Sequence, residues 1–287
     1  MKKGQIIKAL SGFYYVKSDD EIYQTRARGL FRNTSESPLV GDIVEFQIEN
    51  VTEGYINSID DRKNFLNRPS VANIDQVLIT MSLFSPKFSF YLLDRFIAYA
   101  EVHDIKPVII VTKTDLSGDP DLVGKIKETY SMYPVYFTDK INVNEDLLPI
   151  FKNKLSVLAG QSGVGKSTLI NTILPEAELI TDEISNKLNR GKHTTRHVEL
   201  IEIADGLIAD TPGFSTIDFS AIDKYNLMFC FIDFNQYSDN CNFRECLHIN
   251  EPKCAVKNAV ESGELAQSRY DSYKKIFEEI ESRKERY

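Results

Sequence analysis

Nowhere in the 287 residues does an apolar run approach the ~20 residues that a bilayer crossing needs. The amino terminus offers no substitute. Its apolar stretch is broken by Gln5 and Lys8, which makes it too short and too polar for a secretory leader. The expected compartment is therefore the cytoplasm, with no membrane partner. Basic residues are in deficit, 34 against 42 acidic ones, for a net charge of −8. A chain that coats nucleic acid indiscriminately would be basic overall, so any nucleic-acid contact has to come from a local patch. Cysteine is scarce: Cys230, Cys241, Cys246 and Cys254. Three of the four fall within residues 241–254 together with His248, and in a cytoplasmic chain that crowding reads as metal ligands before disulfides. Internal repeats and low-complexity segments are absent. What remains is ordinary for a soluble globular protein, 42% hydrophobic and 26% charged residues.

Three segments differ in pattern. Residues 1–65 carry short alternating runs, Gly12-Phe13-Tyr14-Tyr15-Val16, Glu21-Ile22-Tyr23-Gln24 and Asp42-Ile43-Val44-Glu45-Phe46-Gln47-Ile48, separated by turn residues. Several short strands in so little chain predict a five-stranded barrel of the OB type, with residues 60–70 as a polar linker. Residues 66–220 alternate near-continuous apolar strands (74–81, 107–111, 134–137, 155–159) with helical stretches (89–101, 122–130). That pattern predicts a parallel sheet with helices on both faces. Residues 221–287 hold the Cys/His cluster and then a mostly helical stretch with a break at Gly263. Its stripe Tyr270, Tyr273, Phe277 and Ile280 reads as core, as does Cys230.

The strongest chemical signal is Gly160-Gln161-Ser162-Gly163-Val164-Gly165-Lys166-Ser167, a full G-x-x-x-x-G-K-[ST] loop between a strand and a helix that begins near Thr168. Backbone N–H groups wrap the phosphates, Lys166 neutralises the β- and γ-oxygens, and the Ser167 hydroxyl ligates Mg²⁺. Asp210-Thr211-Pro212-Gly213, after the apolar run 206–209, reads as a turn that supplies a carboxylate toward Mg²⁺ and an N–H from Gly213 toward the γ-phosphate. Between the two lies Arg190-Gly191-Lys192-His193-Thr194-Thr195-Arg196. Thr195, or Thr194 beside it, is the candidate to complete the Mg²⁺ shell when the γ-phosphate is present.

Thr112-Lys113-Thr114-Asp115 ends the 107–111 strand. An aspartate there accepts hydrogen bonds from guanine N1 and N2, a donor pair that adenine lacks, and the lysine stem covers the base. The usual pattern is N-K-x-D; Thr112 stands for the asparagine and donates one hydrogen bond without reproducing the amide. The base segment precedes the phosphate loop, the reverse of the usual order. A parallel sheet tolerates that permutation, because its site lies at the carboxyl ends of strands adjacent in space whatever their chain order. Permutation also leads the loop after Asp210 directly into the C-terminal segment, where a γ-phosphate switch could act on it. Phe214 stands where many GTPases place a water-orienting glutamine, so unaided hydrolysis should be slow.

The spacing Cys241-x4-Cys246-x-His248-x5-Cys254 supplies three thiolates and one imidazole, a closed tetrahedral set for one structural Zn²⁺. With these motifs in place, the chain resembles the RsgA (YjeQ/YloQ) family of small-ribosomal-subunit GTPases. The resemblance rests on the permuted order, Gly41-Asp42-Ile43-Val44, Asn67-Arg68-Pro69, Ala72-Asn73-Ile74-Asp75-Gln76, Gly191-Lys192-His193-Thr194-Thr195-Arg196 and the Cys-Cys-His-Cys set. It implies an OB barrel, a permuted GTPase domain and a zinc domain. It also implies GTP hydrolysis stimulated by the small subunit, a role in that subunit's late maturation, and a part for His193 in hydrolysis. Lys2, Lys3, Lys8, Arg26, Arg28 and Arg32, near Phe13, Tyr14 and Tyr15, would form an RNA face on the barrel, although those aromatics serve equally as barrel core. Two other readings stay open: a nucleotide-gated RNA-binding module with little hydrolysis, and a P-loop small-molecule kinase.

Overall fold

The alternating runs at the start of the chain become five strands that close on themselves: β1 (Lys2–Leu10), β2 (Phe13–Ser18), β3 (Glu21–Ala27), β4 (Ile43–Ile48) and β5 (Gly54–Ile59). The computed structural model describes residues 1–28, 31, 37–49, 53–116, 119–139, 145–173, 198–214 and 219–284. β1 pairs with β2 and β4, β2 with β3, β3 with β5 and β5 with β4, so the five form a closed barrel of the expected OB type. One side chain in two points inward. Ile6, Val16, Val44, Phe46 and Ile56 are fully buried there.

The expected linker is more structured than its polarity suggested. Within it β6 (Phe65–Asn67) pairs with β7 (Ser70–Ala72) as a small hairpin. Leu66 and Val71 each bury a side chain, which anchors the otherwise polar hairpin. Before it, Arg62 holds the buried Asp42 through two hydrogen bonds of 2.7 and 2.8 Å.

The barrel belongs to the first of two compact units, made of Met1–Val77, Val143–Leu158 and Lys166–Phe214. Here β11 (Leu155–Ala159), β13 (Gly206–Phe214) and β12 (Glu199–Ile203) lie side by side, and β12 passes the sheet on to β1 of the barrel. β13 runs straight through Asp210-Thr211-Pro212-Gly213. The expected turn after the 206–209 strand is therefore a continuation of that strand. Its ladder with β12 pairs Glu199 with Asp210 at one end and Ile203 with Gly206 at the other, and Thr211 to Phe214 extend past that ladder. Within the same unit α3 (Lys166–Ile173) carries the end of the phosphate loop.

The second unit comprises Leu78–Asn142, Ala159–Gly165 and Ser215–Tyr287. It contains β8 (Gln76–Ser82) from Leu78 onward, β9 (Lys106–Thr112) and β10 (Val135–Phe137), with β10 parallel to β9. Both β8 and β9 are buried almost throughout, the signature of strands covered on both faces. Helix α1 (Phe90–Val102) is capped by the Ser89 hydroxyl, and α2 (Pro120–Thr129) by the Asp119 carboxylate with proline at its first position. The C-terminal segment folds as α4 (Asn235–Ser238), α5 (Ala255–Ser262) and α6 (Gln267–Lys284). Gly263 ends α5 in the left-handed conformation, as the expected break requires. The stripe Tyr270, Tyr273, Phe277 and Ile280 is buried with Phe219, Phe231, Phe234 and Cys230 in one cluster that also reaches Ala98 of α1.

A fully buried charge joins α1 to α6. Arg269 is wholly inaccessible. Its Nη1 donates to Asp94 Oδ1 of α1 at 2.6 Å, and its Nη2 and Nε donate to the Asp233 carboxylate at 2.6 and 3.0 Å. Tyr130 donates a further bond to Asp94 at 2.9 Å, and the guanidinium lies 4.5 Å from the Phe231 ring centroid. Removing one member of such a set strands the others as buried unpaired charges. Arg269→Met should therefore cost about 3–5 kcal/mol, read as a lowered urea midpoint. Arg95→Met, which breaks a partly exposed pair with Glu279, should cost a small fraction of that. Equal losses would contradict this account.

Candidate nucleotide site and metal centre

Gly160 opens the phosphate loop with φ +139, and a Cβ there would lie 2.4 Å from the Thr80 carbonyl. Only glycine fits, because β8 approaches too closely for any side chain. The loop closes at Gly165, φ +104, and enters α3 at Lys166, so the helix N-terminus with its outward N–H groups follows the glycines directly. Lys166 is half-buried, and that burial lowers its pKa. An anion placed beside it would reverse the shift. Gln161 and Ser162 are exposed, Val164 is buried, and Ser167 and Thr168 stand in the first turn of α3.

The base segment meets this loop. Thr112, at the end of β9, is buried, and its hydroxyl lies within hydrogen-bonding distance of the carbonyls of Met81 (3.1 Å) and Val164. The single hydroxyl proton serves one carbonyl at a time. The Thr112 side chain thus ties β9 to β8 and to the phosphate loop. Lys113 has a left-handed backbone, φ +59, and its ammonium donates to Gly163 O at 2.7 Å and to Ser85 O. The lysine thus spans from the end of β9 to the phosphate loop. Thr114 is half-buried and Asp115 exposed, which leaves the Asp115 carboxylate accessible to a guanine edge.

One element of this crevice escaped the sequence reading. Thr138, just past β10, is buried; its N–H donates to Val111 O at 2.8 Å and its carbonyl accepts from Thr114 N–H at 3.4 Å. It therefore stands beside the Thr112–Asp115 segment. The available signal was topological: a strand parallel to β9 must end beside the residues that follow β9.

Asp210 and Gly213 lie in β13, opposite and beyond Glu199. The residues from Arg190 to Arg196, with His193, Thr194 and Thr195, lie outside the described residues. The RsgA GTPase family model matches residues 59–220, and the RsgA N-terminal domain model matches residues 3–56. The chain belongs to the RsgA GTPase family. A protein of Shouchella clausii named small ribosomal subunit biogenesis GTPase RsgA is 50% identical over 293 residues, covering 100% of both chains. The Bacillus subtilis protein of the same name is 50% identical over 298 residues, again with 100% of both covered. The crystal structure of YloQ, described as a circularly permuted GTPase, matches with TM-score 0.86 and 46% identity over 100% of this chain and 97% of that one. That of YjeQ from Thermotoga maritima matches with TM-score 0.85 and 34% identity over 97% and 98%. The permuted order read from Thr112 and Gly160 is thus that of the RsgA family.

The cysteine cluster converges as its spacing required. The ligand atoms of Cys241, Cys246, His248 and Cys254 all lie within 4.8 Å of one another. Cys241 Sγ is 3.6 Å from His248 Nδ1 and 3.9 Å from Cys254 Sγ, and His248 Nδ1 is 3.3 Å from Cys254 Sγ. A tetrahedron around Zn²⁺ with bonds of about 2.3 Å has edges of about 3.7 Å, so the donor set fits that ion, with Nδ1 as the imidazole ligand. The loop is held from outside. Tyr270 and Tyr273 donate to the carbonyls of His248 and Leu247, each at 2.7 Å, and the Glu251 carboxylate accepts from the N–H groups of Leu247 and Ile249. Burial, the largest influence, pushes the Cys246 thiol up to about 12. Without a cation the Cys246 thiol stays protonated, and a metal ion would displace its proton.

Within the barrel, Phe13 and Tyr15 are half-buried and carry cations rather than filling the interior. Arg26 lies 4.3 Å from the Phe13 centroid and Lys8 6.0 Å from that of Tyr15. Lys8 and Lys3 are also paired, to Glu199 and Asp60. Arg28 is exposed, and Arg32 lies outside the described residues.

Two outcomes follow from this geometry. Thr112→Val, which keeps shape but removes the hydroxyl, leaves a buried carbonyl unpaired at a cost of about 1–3 kcal/mol. It should weaken GTP binding roughly tenfold while leaving the preference for GTP over ATP intact; lost preference at unchanged affinity would show instead that Thr112 touches the base. Purified chain should contain one zinc ion, and its removal by a strong chelator should sharply lower the thermal midpoint. Metal-free protein with an unchanged midpoint would refute the structural role.

Proposed function

We propose that this chain hydrolyses GTP to GDP and phosphate in the biogenesis of the small ribosomal subunit, with turnover raised by the subunit itself. The observation that carries the reading is the meeting of a base segment and a later phosphate loop at Thr112 and Val164. It occurs in a chain half-identical, end to end, to proteins named for that process. Gly160 to Gly165 wrap the phosphates, Lys166 neutralises them, and Ser167 and Thr168 begin the helix above them. Mg²⁺ is held by Ser167, Thr195 and Asp210, with Gly213 at the γ-phosphate. Asp115 selects guanine, and His193 assists the attacking water.

The division of labour follows three domains, 1–65 for RNA, 66–220 for the nucleotide and 221–287 for the zinc-held helices. The barrel rings Phe13 and Tyr15, with Arg26 and Arg28, offer stacking surfaces and charge to single-stranded rRNA. The chain acts in the cytoplasm as a monomer. In support, no described helix is long and apolar enough to cross a membrane.

The test is phosphate release from GTP and from ATP, with and without purified small subunits. GTP turnover should be slow alone and rise strongly with subunits while ATP stays inert. His193→Ala should lower the stimulated rate by about 10²-fold, the scale of a lost general acid–base group. Turnover indifferent to subunits would overturn the proposal, and an unchanged stimulated rate in His193→Ala would remove that residue from the chemistry.

A further inference from the structure

One row of cross-strand neighbours runs from the γ-phosphate motif to the barrel's aromatic surface. Asp210 of β13 is the register partner of Glu199 of β12, Glu199 that of Lys8 of β1, Lys8 that of Tyr15 of β2, and Tyr15 that of Gln24 of β3. The barrel and the β12–β13 ladder are joined in this row by one residue pair, Lys8 with Glu199. Their side chains close the same link, with Lys8 Nζ 2.8 Å from Glu199 Oε2 and 6.0 Å from the Tyr15 ring centroid. A second pair, Lys17 with Glu202, ties β2 to β12. Glu202 lies three residues along the strand from Glu199, on its other face.

The link does little for stability. Both pairs are partly exposed, and such pairs are worth about 0–1 kcal/mol. The joint is narrow, one register pair between β1 and β12, and a cleft of about 910 Å³ lies beside it, lined among others by Gln5, Lys17, Lys63, Lys154, Glu202 and Asp205. The five-pair ladder from Glu199–Asp210 to Ile203–Gly206 carries any shift of Glu199 to the backbone at Asp210.

Resting on the proposed function, we infer that Lys8 and Glu199 are positioning residues for the stimulated reaction: their ion pair transmits RNA engagement at Tyr15 to the Asp210–Gly213 segment that senses the γ-phosphate. The pair belongs to the β1–β12 joint, not to the phosphate loop or the Thr112–Asp115 segment. It sets where β12, and through it β13, stands when the barrel is occupied.

A charge-exchange cycle tests this. Lys8→Glu, Glu199→Lys and the double exchange are assayed for GTP turnover against increasing purified small subunits, with thermal midpoints compared across the set. Lys8→Met and Glu199→Gln serve as milder variants should a reversal disturb folding. Each single reversal should lower the ratio of plateau stimulated rate to unstimulated rate by about fivefold or more, the scale of a typical coupling, and the double exchange should restore it. If Lys8→Glu raises only the half-maximal subunit concentration and the double exchange does not rescue it, Lys8 is a plain RNA contact and the inference fails. It also fails if all variants match the unaltered chain while that chain remains stimulated, which leaves the proposed function standing. An unaltered chain that subunits do not stimulate removes both.

Discussion

A single buried hydroxyl brings together three stretches of chain that the sequence keeps far apart. Thr112 ends β9, Met81 lies in β8 and Val164 in the phosphate loop, and the Thr112 hydroxyl meets the carbonyls of both. Gly160 repeats the constraint from the other side, since the Thr80 carbonyl leaves no room for a Cβ. Lys113 adds a third tie at Gly163 and Ser85. The base segment and the phosphate loop are thus fixed to each other by backbone carbonyls, which every residue supplies, rather than by a matched pair of side chains.

The same unit shows what permutation does to the C-terminal segment. Its helices share a hydrophobic cluster with α1, and Arg269 binds Asp94 of α1 and Asp233 in one buried set. Any displacement of the C-terminal helices from α1 has to break that set, which is far costlier than parting an exposed ion pair. The Cys/His cluster lies alongside it. Four donors close the loop that carries His248, while Tyr270 and Tyr273 fasten its carbonyls to α6. The C-terminal segment is therefore packed as an extension of the body that carries α1 and β9.

Much of this was legible in the chain. The phosphate loop, the base segment and the Cys/His spacing are local motifs whose chemistry dictates their residues, and long apolar strands and capped helices such as α1 and α2 follow from composition and periodicity. The misses share one cause. The place of Thr138, the continuation of β13 through Pro212 and the β6–β7 hairpin all depend on which strands become neighbours, a matter settled by long-range pairing rather than by local propensity. Arg269 illustrates the limit. In sequence it is one basic residue in a polar helix; only the fold gives it Asp94, 175 residues away. The barrel aromatics were undecided between core and surface, and the cations over Phe13 and Tyr15 place them at the surface.

The central claim is that guanine is read by Asp115, a residue that precedes the phosphate loop in the chain. Asp115→Asn tests it most directly, by competition between GTP and xanthosine triphosphate. Xanthine carries an oxygen acceptor where guanine carries its amino donor, so an amide at position 115 complements it and a carboxylate does not. The account predicts that the variant loses affinity for GTP, gains it for xanthosine triphosphate and keeps its phosphate contacts. A variant that still prefers GTP would place the base elsewhere and contradict the site described.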